Sequence, residues 1–199
     1  ATGNTKLIHG ESYINEKIGD YIFKVSANSF FQTNSYQVKT LYDYIVKTGE
    51  FKKNDIVYDL YCGTGTIGIY ISPYVKKVYG IEIIEDAITD AKFNAKQNNI
   101  KNAFFYASDM KDFFTNKETK IDKPDTIIID PPRPGLHPDV IQDIKTLSPS
   151  KIIYVSCNPS TQARDIKILL EDSYKISDIQ PIDMFPHTPH IECIITLKN

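Results

Sequence analysis

The sequence predicts an α/β fold of the Rossmann-like type, with a mostly parallel seven-stranded sheet and helices on both faces. From residue 55 onward, short runs rich in isoleucine, valine and tyrosine alternate with longer amphipathic segments. Parallel strands need helical crossovers, and this alternation is the pattern that they leave in a sequence. A glycine-rich turn joins the first strand to the next helical segment, as at the ligand-binding edge of such sheets. The chain closes with two further strands, and we expect an antiparallel strand at its carboxyl terminus.

The individual elements are predicted from the amino terminus onward. Residues 7–32 alternate apolar and polar side chains, which favours short antiparallel strands. Asn34 is placed to cap an amphipathic helix that runs to about Lys47 and is closed by Gly49. Strands are then expected at 55–61, 77–82, 103–108, 125–130, 151–156, 176–184 and 190–198, with a short helix after the glycine turn and longer ones at 85–98, 138–147 and 160–172.

Composition excludes several classes of protein. The 199 residues are 41% hydrophobic and 24% charged, which is typical of a globular domain, and no apolar run is long enough to span a membrane. The three cysteines have neither a disulfide framework nor the paired spacing of a zinc site, so we expect no metal and a cytoplasmic location. The net charge of −2 argues against a domain that binds nucleic acid through charge alone.

The glycine turn "DLYCGTGTIG" predicts a nucleotide-type ligand. Gly63, Gly65 and Gly68 fit G-x-G-x-x-G, and Glu82 lies 19 residues beyond Gly63, at the end of the second strand. Glycines let the backbone approach a ligand, and an acid at that position accepts hydrogen bonds from ribose hydroxyls. The motif alone is shared by dinucleotide sites and S-adenosylmethionine (SAM) sites.

Two carboxylates favour SAM over a dinucleotide. Asp59 comes just before the turn, where it could accept the cationic amino group of SAM. Asp109 follows the third strand, where it could read an adenine amine, although capping a helix is an equally good interpretation.

The segment "IIIDPPRPG" places Asp130 at the carboxyl end of the fourth strand. Proline fixes its own backbone angle and restricts the preceding residue, so the three prolines predict a rigid wall that holds this carboxylate. Prolines also end strands for purely structural reasons, but their order here favours a functional turn.

Cys157 follows the fifth strand in "VSCNPST", on the same edge as the glycine turn and Asp130. Ser160 is a candidate cap for the next helix, and a thiol near helix amides is expected to favour the thiolate. A thiolate is what methylation of a pyrimidine carbon 5 needs. Its addition to carbon 6 makes carbon 5 nucleophilic, and a separate base must later remove the carbon 5 proton.

Glu192 is the candidate base, since it begins an apolar strand and a carboxylate in apolar surroundings has a raised pKa. A surface glutamate on an edge strand is the alternative. His187 and His190 lie close by, but two histidines without a third ligand are more often structural than metal-binding.

Six motifs in order, "SFFQTN", "DLYCGTGTIG", "GIE", "DPPRPG", "VSCNPST" and "DMFPHTPHIE", resemble those of the RNA uracil-5-methyltransferases. The resemblance covers residues 7–197 and implies SAM-dependent formation of 5-methyluridine in tRNA or ribosomal RNA, with Cys157 as nucleophile and Glu192 as proton acceptor. It also implies that the residues contacting SAM are Gln32, Tyr61, Gly63, Thr66, Glu82, Asp109 and Asp130.

The resemblance also bears on domains and partners. Family members carry an amino-terminal RNA-binding domain and a β-rich insert, some with an iron–sulfur cluster. We expect residues 31–199 to be the catalytic domain and residues 1–30 to be a short β-rich lead-in from an upstream region, because the chain starts at Ala1 rather than Met. The RNA partner is then expected to need that upstream region.

Other functions stay open at this point. Methylation of cytosine carbon 5 is the nearest alternative, but enzymes of that kind usually carry a second cysteine in the turn that is "DPPRPG" here. Methylation of an exocyclic amine needs no thiolate. A non-catalytic RNA-binding or SAM-sensing module would not need both Cys157 and Glu192. An NAD enzyme is disfavoured, because the "SCNP" motif would then have no function.

Overall fold

The computed structural model describes residues 6–27, 29, 31–32, 34–115, 121–171 and 173–199. The strands are β1 (Tyr13–Ile18), β2 (Tyr21–Ser26), β3 (Ile56–Leu60), β4 (Lys77–Glu82), β5 (Ala103–Ala107), β6 (Thr126–Ile129), β7 (Lys151–Ser156), β8 (Lys175–Ile182) and β9 (Glu192–Lys198). The helices are α1 (Ser35–Gly49), α2 (Thr66–Ile71), α3 (Glu85–Gln97), α4 (Met110–Thr115), α5 (Pro138–Leu147) and α6 (Pro159–Leu169).

Seven strands form one sheet in the order β5-β4-β3-β6-β7-β9-β8. The five neighbouring strands β5, β4, β3, β6 and β7 are parallel to one another, whereas β9 runs antiparallel to both β7 and β8. The central strands are buried on both faces, which is why they read as continuous apolar runs. The predicted α/β fold, with its mostly parallel sheet and antiparallel carboxyl-terminal strand, is confirmed.

The sheet separates two hydrophobic cores. One side of each strand packs against α1, α2 and α3, and the other side packs against α4, α5 and α6. Neighbouring residues of β7 show the alternation, since Ile153 and Val155 enter the first core while Ile152 and Tyr154 enter the second. Among the described residues, none of the helices has the length and apolar character that crossing a bilayer requires.

β1 and β2 form a separate antiparallel hairpin that is fastened to α3 through polar side chains. The carboxylate of Asp90 accepts hydrogen bonds from the N–H (3.1 Å) and the hydroxyl (2.9 Å) of Ser26. Asn94 accepts from the Lys24 N–H (2.7 Å) and donates to the Lys24 carbonyl (3.1 Å) and to the Thr64 carbonyl (3.3 Å). One helix therefore joins the hairpin to the glycine turn.

The caps of two helices differ from the predicted ones. Gly49 is the last residue of α1, where a Cβ would lie 2.3 Å from the Phe51 ring, and Glu50 takes the left-handed backbone that follows (φ 44°). Asn158, rather than Ser160, caps the start of α6, and its Oδ1 accepts the Ser160 N–H at 3.1 Å.

Candidate functional site

A cavity of about 610 Å³ opens at the carboxyl ends of the parallel strands. It lies beside β3 and β6, where the strand order reverses and where α/β sheets bind their ligands. Seven of the nine site residues that the family resemblance implies line this one cavity, namely Gln32, Tyr61, Gly63, Glu82, Asp130, Cys157 and Glu192.

The pairing of β7 with β9 brings Cys157 and Glu192 together. The ladder ends with Ser156 opposite Cys193, so Cys157 and Glu192 are the next residues of the two strands, and both line the cavity. The charge of Glu192 raises the pKa of Cys157, which also places the two groups close together. Residues 35 positions apart in the chain are thus placed side by side at the cavity.

Glu192 is a buried carboxyl rather than a surface group on an edge strand. It is 2% exposed, β9 lies between β7 and β8, and its Oε2 has no hydrogen-bond partner among the described residues. Burial raises the pKa of Glu192 to about 8; the charge of Asp130 adds to the rise and Arg133 opposes it. The group is therefore mostly neutral at pH 7 and becomes a base when it ionises.

The pKa of the Cys157 thiol differs from the prediction. Its pKa is raised, first by burial and then by the charge of Glu192, rather than lowered by the helix that follows. The side chain of Asn158 already occupies the first turn of α6 by accepting the Ser160 N–H. The isolated protein consequently holds Cys157 as a thiol that needs assistance to ionise.

Arg133 supplies that assistance, and the sequence analysis missed it. It follows the two prolines after Asp130, lines the cavity together with Cys157, and its positive charge lowers the thiol pKa against the larger effect of burial. It also lowers the pKa of Glu192. Its position inside "DPPRPG", as one of only two arginines in the chain, was the signal that could have found it.

The proline turn that carries Arg133 is held in place by α6. The Asn158 amide and the Thr161 hydroxyl both donate to the Arg133 carbonyl at 3.1 Å. The buried carboxylate of Asp165 accepts the Leu136 N–H at 2.8 Å. The turns after β6 and β7 are therefore bonded to each other, which fixes Arg133 relative to Cys157.

Asp130 and Gln32 contribute polar atoms to the cavity wall. Burial raises the pKa of Asp130 to about 7. Gln32 is 8% exposed, and its Oε1 has no partner among the described residues. Buried polar atoms are nearly always hydrogen-bonded, so an open acceptor at a cavity indicates a place for a ligand.

The glycine turn forms the other wall. Tyr61 has a left-handed backbone (φ 62°), which is uncommon for a residue with a side chain and clusters at functional sites. Glu82 accepts the Gly63 N–H at 3.3 Å and the Ile84 N–H at 3.0 Å. The carboxylate is thereby oriented at the end of β4.

Thr66 and Asp109 lie in two smaller pockets that adjoin the cavity. Thr66 lines a pocket of about 40 Å³ together with Tyr61 and Gly63. Asp109 lines one of about 480 Å³, which shares Tyr61 and Ile83 with the main cavity. Asp109 also caps α4, since its Oδ1 accepts the Lys111 N–H at 2.9 Å, so both interpretations of this residue describe part of its surroundings.

Asp59 is not among the residues that line the cavity and is fully buried beneath the glycine turn. Its Oδ2 accepts the Gly68 N–H at 2.9 Å, while its Oδ1 has no hydrogen-bond partner among the described residues. Burial raises its pKa to about 8. One oxygen of this carboxyl therefore shapes the turn, and the prediction that it meets a ligand amino group stays a prediction.

The described parts of the chain contain no group of three or more His, Cys, Asp or Glu side chains that could hold an ion. His187 and His190 are both exposed.

Comparison with known proteins indicates a single family. The sequence model of the tRNA (Uracil-5-)-methyltransferase family matches residues 2–199. A protein named as an uncharacterized RNA methyltransferase from Chlorobaculum tepidum is 46% identical over 202 residues, covering 100% of this chain and 42% of its own length. The chain thus spans about 42% of the length of that relative.

Solved structures agree with this result. Pyrococcus abyssi tRNA (uracil-54, C5)-methyltransferase in complex with S-adenosyl-L-homocysteine is 38% identical, with a TM-score of 0.81, covering 95% of this chain and 45% of that one. The M. jannaschii tRNA m1G37 methyltransferase is 18% identical, with a TM-score of 0.69, covering 97% and 59%, and shows likeness of fold alone. The chain has the class I SAM-dependent methyltransferase fold.

Proposed function

The chain belongs to the tRNA (uracil-5-)-methyltransferase family, and from that premise we propose that it methylates carbon 5 of a uridine in tRNA or ribosomal RNA. The observation that carries the proposal is the meeting of Cys157 and Glu192 at one cavity, just beyond the last pair of the β7–β9 ladder. A thiol nucleophile opposite a buried base is the pair that carbon 5 chemistry needs, whereas methylation of an amine needs neither.

The residues of the cavity fit SAM as the methyl donor. The open acceptor of Gln32 and the oriented carboxylate of Glu82 can accept hydrogen bonds from SAM. The backbone at Gly63 leaves room for the ligand, because no atom lies within 4 Å of the position that a Cβ would take there. When bound, SAM supplies an electrophilic methyl group on a positively charged sulfonium. The residues that would hold it are Gln32, Tyr61, Gly63, Thr66, Glu82, Asp109 and Asp130.

The reaction follows from the two opposed groups. The Cys157 thiol first gives its proton to solvent. The resulting thiolate bonds to carbon 6 of the uracil while the carbon 5–carbon 6 double bond opens, so the ring becomes an enolate with electron density on carbon 5. After carbon 5 has been methylated, the Glu192 carboxylate takes the proton from that carbon. The electron pair re-forms the ring double bond, and the carbon–sulfur bond breaks to release the thiolate.

Charge inside the cavity suits the two stages of this sequence. Below pH 8 the Glu192 carboxyl is mostly neutral and does not repel a thiolate forming on Cys157, while the Arg133 guanidinium attracts it. Proton removal later requires the ionised carboxylate, so the Glu192 carboxyl gives its own proton to solvent before it accepts the carbon 5 proton. The same buried carboxyl therefore serves addition in its neutral form and elimination in its charged form.

Two alanine substitutions in the glycine turn separate SAM binding from folding. Gly63→Ala is expected to weaken SAM binding about tenfold, because the new methyl group points into open space at the cavity, and to cost about 1 kcal/mol of backbone strain. Gly65→Ala is expected to destabilise the fold by about 2–4 kcal/mol, because its Cβ would lie 2.7 Å from the Phe105 ring. Calorimetry with SAM and thermal unfolding measure the two effects. Wild-type SAM affinity in Gly63→Ala would remove the turn from the proposed site.

The parts of the protein have distinct proposed roles. We assign residues 31–199 to catalysis and residues 1–30 to a lead-in that α3 fastens to the catalytic domain. RNA is the proposed partner, and with a net charge of −2 this chain is expected to rely on a further RNA-binding region of the whole protein. All three cysteines are free, which suits the reducing cytoplasm where we place the reaction.

The test uses the full-length protein with SAM and unmodified tRNA and ribosomal RNA. Digestion to nucleosides and mass spectrometry are expected to show 5-methyluridine, and mapping of fragments locates the position. A product of 5-methylcytidine would support the cytosine alternative, and an N-methylated nucleoside would contradict the need for Cys157. A reaction without SAM controls for methyl groups already present.

A further inference from the structure

We propose that Gln162 is a positioning residue that holds Cys157 and Glu192 at their working separation by tying the ends of β7 and β9 together. The inference rests on the proposed function, since it concerns the geometry of the two groups that perform it. Gln162 lies on α6, outside the cavity, and does not contact the reacting atoms.

The evidence is one fully buried amide that bridges two strands. The Nε2 of Gln162 donates to the Tyr154 carbonyl at 2.8 Å and to the Cys193 carbonyl at 2.9 Å. Tyr154 belongs to β7 and precedes Cys157 by three residues, while Cys193 belongs to β9 and directly follows Glu192. Both protons of a single nitrogen are used, one on each strand.

The position of this bridge matters because the β7–β9 ladder stops there. Beyond the Ser156–Cys193 pair no further ladder pair joins the two strands, although Cys157 and Glu192 come next. Strand ends without neighbouring bonds open most readily. On its other side β9 is held by β8, which pairs Ile182 with Glu192, so Gln162 supplies the restraint on the side of the nucleophile.

Gln162 is also part of a polar stripe on α6 that serves the whole site. Asn158, Thr161, Gln162 and Asp165 follow the spacing i, i+3, i+4, i+7, which places them on one face of a helix. The first two bind the Arg133 carbonyl and Asp165 binds the Leu136 N–H, so three members of the stripe hold the turn that carries Arg133. Gln162 is the member that holds the strands instead.

The experiment compares Gln162→Met with Tyr174→Phe in the full-length protein. Methionine keeps the length and volume of glutamine but cannot donate to the two carbonyls. Tyr174→Phe is the matched control, because it removes the hydrogen bond of a buried hydroxyl to the Pro149 carbonyl (2.8 Å), before the opposite end of β7. If Gln162→Met does not fold, it is replaced by Gln162→Asn, because the shorter side chain of asparagine cannot reach both carbonyls.

Two readouts are taken below the melting temperature of each variant. The first is the pH dependence of alkylation of Cys157, with Cys157→Ala as blank, which needs no methylation activity. Gln162→Met is expected to shift this profile to lower pH, because Glu192 moves away from the thiol. The second is the single-turnover rate of RNA methylation, which is expected to fall on the order of tenfold to a hundredfold, as for a displaced catalytic group. Tyr174→Phe is expected to lower the melting temperature and change neither readout.

The outcomes separate the two proposals. If the wild type methylates no RNA, the proposed function fails, while the alkylation profile still tests the bridge. The role of Gln162 is overturned if Gln162→Met keeps the wild-type alkylation profile. If the wild type methylates RNA, the role is also overturned when Gln162→Met keeps the wild-type single-turnover rate. It is also overturned if Tyr174→Phe lowers that rate equally, since a general loss of stability would then explain both.

Discussion

Replacing Cys157 with alanine is expected to lower RNA methylation by at least about a thousandfold while leaving SAM affinity within about twofold. The substitution removes the thiol that is proposed to bond to carbon 6, and without that bond carbon 5 of uracil is not nucleophilic. Loss of a catalytic nucleophile has effects of this size or larger in other enzymes. SAM binding persists because its proposed contacts come from Gln32, before α1, and from the carboxyl ends of β3, β4, β5 and β6, and do not include Cys157.

Single-turnover methylation and calorimetry with SAM measure the two quantities on the same preparation. Cys157→Ser is the matched control, because a hydroxyl nearly restores the size of the thiol but is a far weaker nucleophile; it is expected to be as inactive as alanine. Activity in either variant above about a tenth of the wild-type rate would rule out the covalent route and favour methylation of an exocyclic amine. Loss of SAM binding together with activity would instead assign Cys157 a structural role.

The order of the strands shows what a sequence can and cannot predict here. The runs at β4, α5 and β7 were predicted with the bounds that the structure has, because their apolar patterns and turn residues are local. That β9 inserts between β7 and β8 is not a local property, since it depends on how distant strands pair. The opposition of Cys157 and Glu192 follows from this pairing, and the sequence alone could only place both on candidate motifs.

The electrostatics of the site show the same limit. A thiol near the start of a helix is expected to ionise easily, and that local rule predicted a thiolate at Cys157. In the folded chain, burial and the nearby Glu192 outweigh it and raise the thiol pKa, while Arg133 from another turn opposes them. Asp59 satisfies the pattern for a ligand-binding carboxylate, but the sequence alone does not show that one of its oxygens accepts the Gly68 N–H beneath the turn. The surroundings of both residues depend on neighbours that a local pattern does not reveal.

Replacing Glu192 with glutamine is expected to trap the enzyme on its RNA. Addition of Cys157 and methylation of carbon 5 do not require a base at this position, but removal of the carbon 5 proton does. The carbon–sulfur bond then cannot break, and we expect turnover to fall by about a hundredfold to ten thousandfold, the contribution typical of a positioned base. The amide has nearly the shape of the carboxyl, so the buried site should keep its packing.

A denaturing gel measures this directly, because covalently joined protein and RNA migrate together after SAM is added. The double variant Cys157→Ala with Glu192→Gln is the control and should give no such band. In the wild type, the rate of adduct breakdown should rise with pH up to about 8, because burial raises the pKa of Glu192 to about 8 and only the ionised form accepts the proton. The slow breakdown in Glu192→Gln should not follow that titration. Rapid turnover without an adduct in this variant would show that another group removes the proton, with Asp130, whose pKa is about 7, as the nearest alternative at the cavity.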